Sequence, residues 1–212
     1  GLLALADWLT DEGVTHAAME STGVYWKPVF HILEARLEVM LVNAQHIKQV
    51  PGRKTDGKDC RWIAQLLQHG PLRASFVPPR PIRQLRDLTR QRTQLIRHRA
   101  TMANRLPKVL DDANIKLASV ATDILGMSGR AMIRALIAGE QDPARLADLA
   151  RRRPRAKIDL LVLALTGQVT DHHRFPLRGL MEQVERLDGG IERLDGRILE
   201  AIAPFEAELA RL

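Results

Sequence analysis

The sequence has one cysteine, Cys60, in 212 residues, so no intramolecular disulfide can form, and the chain suits a reducing cytoplasm. Aromatic residues make up only 4%. A core built on stacked rings is excluded, and the abundant Leu, Ala and Arg favour helix. There is no long apolar run either. The most hydrophobic stretch, Leu160–Leu165, is far shorter than the roughly 20 residues that cross a bilayer, and nothing reads as a signal peptide, so no membrane partner is expected. Acidic residues are in deficit, at 25 against 32 Lys and Arg, a formal net charge of +7. That balance suits a polyanionic partner, nucleic acid first. The 45% hydrophobic content is ample for a folded, soluble chain.

The positive charge is segregated. Residues 1–44 carry two basic and six acidic side chains, residues 45–107 fourteen and three, and the remainder sixteen of each. A net of +11 confined to one block describes a binding surface better than uniform solubilisation, although a plain solvated face has the same composition. Its candidate contacts to nucleic acid are Lys48, Arg53, Lys54 and Lys58 in one polar stretch, then Arg83, Arg86, Arg90, Arg97 and Arg105 in a helical one.

Periodicity divides the chain into α/β followed by mostly α. Leu2, Leu5 and Leu9 share a helical face, Val14–Glu20 and Val39–Val42 read as short buried strands, and Tyr25–Ala35 between them returns to helical spacing. This is the usual parallel crossover. A helix is expected from Asp56 to about Gln68. Pro71 to Pro81 holds four prolines and reads as a linker. The expected organisation is therefore an α/β unit over 1–72, a linker over 73–82 and a helical arm over 83–212.

In that arm Leu85, Leu88, Arg92, Leu95, Arg99, Met102, Leu106 and Val109 follow alternating steps of three and four, with Pro107 expected to kink the helix. A second seam runs from Leu177 through Val184, Ile191 and Ile198 to Phe205, weakened by Gly189 and Gly190. The two seams can pair with each other, as a long coiled-coil-like arm, or with a second subunit; an ordinary helical bundle explains the pattern too. Arg92 and Arg99 sit on the seam, so packing rather than ligand contact is expected of them. Trp8, Trp26 and Trp62 are expected as core anchors, Cys60 as a small packing residue, His172-His173 as a surface loop and Gly126–Gly129 as a turn. Arg151–Arg155 reads equally as a phosphate grip or a solvated loop.

Three acids stand out chemically. Glu20 ends an apolar strand, where open sheets present their sites. Asp56 and Asp59 are three apart at a helix start, which puts both on one face. Hard divalent cations prefer such oxygen ligands. On spacing alone the pair is ambiguous, because acids in a first helical turn also complement the helix dipole.

The run Met19-Glu20-Ser21-Thr22-Gly23-Val24-Tyr25-Trp26, then Val42-Asn43, then Lys54-Thr55-Asp56-Gly57-Lys58-Asp59, resembles the N-terminal domain of transposases of the insertion-sequence one-ten family. The likeness continues through Asn104-Arg105-Leu106 and Asp112-Ala113-Asn114-Ile115-Lys116. It implies an incomplete ribonuclease-H-like domain of the RuvC type with a DEDD acid set. Glu20, Asp56 and Asp59 would be the catalytic and metal-ligating residues, for Mg²⁺ or Mn²⁺. It also implies Mg-dependent DNA strand cleavage and transfer in the intact protein, DNA as partner, a guide RNA, homo-oligomers through the arm and a nucleoid-associated place in a bacterial cytoplasm. By the same resemblance the family's first aspartate would lie upstream of Gly1 and its nucleophilic serine downstream of Leu212. The second reading of this stretch is therefore an inactive nucleic-acid-binding and dimerising fragment.

Overall fold

A computed structural model describes residues 1–43, 56–70, 72–151 and 153–211, with side chains left out at 56–59, 153 and 154. The chain divides into two compact units, Gly1–Pro79 and Arg80–Leu212.

In the first unit, α1 (Leu2–Asp11) leads through Gly13, at φ +71°, into β1 (His16–Glu20). Helix α2 (Trp26–Leu33) then crosses over to β2 (Glu38–Val42). The strands pair in parallel, in a register that runs from His16 opposite Glu38 to Glu20 opposite Val42. Ala6, Leu33 and Leu37 form a core against which Leu9, Val14, Met19 and Val39 pack. The alternation of the sequence thus resolves as expected, with strand ends moved by a residue or two. Helix α3 (Asp56–His69) packs against β1. The proline-rich stretch after it does more than connect: Ala74 bridges Val42 antiparallel, and the Ser75 N–H donates to the Leu41 carbonyl at 2.7 Å.

The tryptophan expectation is corrected at Trp8, which is 56% exposed. At about 100° per residue it lies roughly 160° round the helix from Ala6, on the side away from the core that Ala6 touches, and Leu2 and Leu5 are exposed too. Trp26 is half-buried and meets Phe30 edge to face at 5.5 Å. Cys60 is exposed, not a packing residue.

The second unit opens with α4 (Arg80–Ala103) and returns along α10 (Asp171–Ile202). Between them run α5 (Leu106–Asp112), α6 (Leu117–Val120), α7 (Met127–Ala138), α8 (Pro143–Asp148), a 3-10 turn over Arg153–Lys157 and α9 (Ile158–Ala164). A 3-10 turn at Ala203–Phe205 and the short α11 (Glu206–Leu209) follow α10. The core joins the inserted helices to the α10 stripe Leu177, Met181 and Val184, with Leu106, Leu110, Ile133 and Leu161 at its centre.

Three local expectations are corrected here. The first seam does not bend at Pro107: α4 stops at Ala103, and Pro107 stands in the first turn of a new helix, where its missing N–H costs no intrahelical bond. His172 and His173 belong to the first turn of α10, not to a loop. The Thr170 N–H donates to His173 Nδ1 at 3.1 Å, completing a capping box. Gly126–Gly129 opens α7. A Cβ at Gly129 would stand 2.2 Å from the Ile124 carbonyl oxygen, so glycine is required by a close backbone approach rather than by a turn.

Candidate metal centre and nucleic-acid interface

Glu20 closes β1 at the C-terminal edge of the parallel pair, level with the last residue of β2. The chain leaves that edge at once. The Ser21 N–H donates to the Val42 carbonyl at 2.9 Å, Thr22 N–H to the Glu20 carbonyl at 3.0 Å, and Gly23 at φ +51° turns the backbone toward α2. The positive φ is one that a β-branched residue would resist. The Glu20 side chain is half-buried, and its Oε1 accepts weakly from Thr22 Oγ1 at 3.5 Å. Asp56 and Asp59 lie in the first turn of α3, the helix that packs against β1. Their side chains, like that of Lys58, lie outside the described residues, as do Lys48, Arg53 and Lys54 altogether. Among the described residues no three His, Cys, Asp or Glu side chains cluster as a metal site.

The arginines of α4 fall into two sets. Arg92 and Arg99, one heptad apart, reach across to Asp195 and Asp188, also one heptad apart, in ion pairs that fix an antiparallel register between α4 and α10. Gly190 lets α10 come close at the same level: a Cβ there would stand 3.2 Å from Leu95 Cδ1. Burial alone would push the Asp188 carboxyl up. The hydrogen bonds from Arg99 and Arg130 outweigh it and hold the group below its ordinary range. The hydrogen bond to Asp195 raises Arg92 in turn. Arg86, Arg90 and Arg97 point away from this seam and are exposed, with Asp87 3.7 Å from Arg90 as the acid beside them. Arg105 is exposed at the start of α5, whereas Arg83 is half-buried. At about 100° per residue, Arg86, Arg90 and Arg97 cluster within some 40° and lie opposite Arg92 and Arg99. Periodicity marks the two seam arginines in the sequence but leaves Asp188, Arg130 and Asp195 unmarked. The matching i, i+7 spacing of Asp188 and Asp195 is the signal that reveals the ladder.

The model of the IS110-type DEDD transposase family, described as a transposase, matches residues 1–115. That is over half of the 212-residue chain. The chain belongs to this transposase family. No curated protein matches it. The matched span of this transposase takes in Glu20, the start of α3 and the whole of α4, while the inserted helices from α6 onward and all of α10 lie beyond it. Transposases of mobile elements act on DNA in recombination, and the basic face of α4 falls inside the family match. No described helix of this transposase is long and apolar enough to cross a membrane.

Proposed function

We propose that the 1–72 region is part of a RuvC-like nuclease domain of a DNA transposase, in which Glu20, Asp56 and Asp59 hold Mg²⁺ or Mn²⁺. The observation that carries this reading is the strand-end glutamate on β1 against which α3, with both aspartates in its first turn, is packed. The donor set fits the ion: three carboxylates supply oxygen ligands to a hard dication, with phosphate oxygens to complete its shell. When bound, such an ion stabilises charge on the attacking and leaving oxygens of phosphodiester exchange. The chain's own residues position that centre. Gly23 frees the backbone to turn away at the strand end, and α3 sets the spacing of the aspartate pair.

The outer face of α4, with Arg86, Arg90 and Arg97, holds the phosphate backbone of DNA or of a guide RNA, since charge alone does not separate the two. Lys48, Arg53, Lys54, Lys58, Arg83 and Arg105 extend the same basic stretch. A second copy of the chain along the α4 and α10 seam, which is half-buried toward the Arg80 end, would complete a homo-oligomer in the bacterial cytoplasm at the nucleoid.

Titration of the full chain with Mn²⁺, read by the loss of the free-ion paramagnetic resonance signal, tests the acid set. The expected result is saturable binding that weakens at least tenfold in Glu20→Gln and in Asp56→Asn. Unchanged binding in both variants refutes the site.

A further inference from the structure

Beyond the family match, the inserted helices carry two adjoining hollows that share a wall. One has a volume of about 570 Å³, and Ala121, Gly129, Met132 and Leu161 give it an apolar lining. The other, about 330 Å³, is edged by Arg134, Arg155 and Asp148. Met127 and Arg151 line both. Met127 is 63% exposed although it is a large apolar side chain at the opening of α7.

Arg151 is held in place from beneath. Its backbone N–H donates to Ser128 Oγ at 2.9 Å, and Ser128 Oγ approaches the Arg151 carbonyl at 3.4 Å. Ser128 itself is buried in this core. The Arg151 guanidinium has no carboxylate partner among the described residues. Arg155 meets Asp148 at 3.1 Å, and Arg134 pairs with Glu185. Asp123, on the rim of the larger hollow, accepts from the Leu125 N–H at 2.8 Å. An apolar hollow with an unmatched guanidinium, Arg151, on its wall divides as a nucleotide divides, into a flat apolar base and an anionic phosphate.

We propose that this double hollow is a second nucleic-acid contact, which takes an unpaired nucleotide of a single strand. The base enters the larger hollow against the exposed Met127, and the flanking phosphate lies on Arg151. A polarizable thioether adapts to a flat aromatic face, and a base in a closed duplex cannot enter. A positively charged groove beside a base platform is the general arrangement by which single strands are held. The inference rests on the reading that this chain binds nucleic acid, and it adds where and in which form.

Photocrosslinking of the full chain to a short single strand carrying thiopyrimidines, in RNA and DNA versions, tests it, with mapping of the attached peptides. Labelling is expected within residues 121–132 and around Arg151. A duplex of the same sequence is expected to leave that region unlabelled, and the strand chemistry that labels more strongly names the source. In Arg151→Ala the labelling falls at least fivefold, and the log–log salt slope for single strands flattens by roughly 0.7, since one phosphate is no longer neutralised. Met127→Ala lowers the labelling without changing that slope. If Arg151→Ala labels and binds like the parent, if all labelling falls outside 121–161, or if a free mononucleotide competes as well as the strand, the assignment is wrong. Intact binding without labelling here overturns this inference alone; loss of all nucleic-acid binding by the parent chain overturns it together with the proposed function.

Discussion

Replacing Arg86, Arg90 and Arg97 together by alanine is expected to weaken binding to DNA by about a hundredfold near physiological salt, alike for all sequences. These three side chains share the exposed face of α4, opposite the seam, and among the described residues face no acid closer than the 3.7 Å approach of Arg90 to Asp87. Each phosphate they neutralise releases counterions, so the log–log dependence on salt flattens by roughly 2.7 for duplex DNA when all three guanidinium groups are removed. Arg92→Ala is the internal control. Its guanidinium is engaged by Asp195 on α10, so it lowers stability and leaves the salt slope where it was. Salt-titrated fluorescence anisotropy with unrelated duplexes distinguishes the two. A triple variant that keeps the parent's slope would mean that the face is merely solvated.

Asp188→Ala is expected to destabilise the 80–212 unit by about 2–3 kcal/mol. Asp188 is 33% exposed and takes hydrogen bonds from both Arg99 and Arg130. Its removal leaves two guanidinium groups without their shared acid in a partly desolvated place. A fully buried pair broken on one side costs about 3–5 kcal/mol, and the partial exposure brings the figure down. The effect should appear as a fall of several degrees in the melting transition of that unit. Because Arg99 and Asp188 touch, the double variant Arg99→Ala/Asp188→Ala loses less than the sum of its parts.

The pH dependence follows from the sign of the shift. The Asp188 carboxyl lies below its ordinary value in the folded chain, so its contribution is present above the unfolded value near 3.9 and is lost as pH falls through the lower folded one. Asp188→Asn therefore melts at a temperature that changes less than the parent's as pH drops below about 4. A variant with the parent's acid profile would show that the ladder does not hold the two helices.

Much of the fold is readable from residues because the periods are clean. Val14–Glu20 and Val39–Val42 are short apolar runs, and the intervening Val29, Ile32 and Leu33 fall on one helical face, which together suggest the crossover. The seam arginines stand out for the same reason, since a charge at every seventh residue of an apolar stripe demands a partner. Context is what the residues alone do not carry. Pro107 looks identical as a kink and as the first turn of a new helix until Asn104 and Arg105 are seen to leave the α4 path. Gly126–Gly129 has turn composition, yet the Ile124 carbonyl beneath Gly129 is what requires the small residue. Trp8 is apolar by type but lies on the far side of α1 from the buried Ala6. The acid set is legible only in part from chemistry, because acids at a helix start serve the dipole as readily as a metal. Its weight comes from Glu20 standing at the strand end and from the family to which residues 1–115 belong.

The most direct measurement is the anomalous scattering of crystals of the full chain grown with Mn²⁺. The expected result is an ion with carboxylate oxygens of Glu20 and of Asp56 or Asp59 within about 2.0–2.3 Å, the reach of oxygen ligands to such cations. Carboxyl groups of the three residues lying more than about 10 Å apart, with the ion elsewhere, would contradict the metal centre.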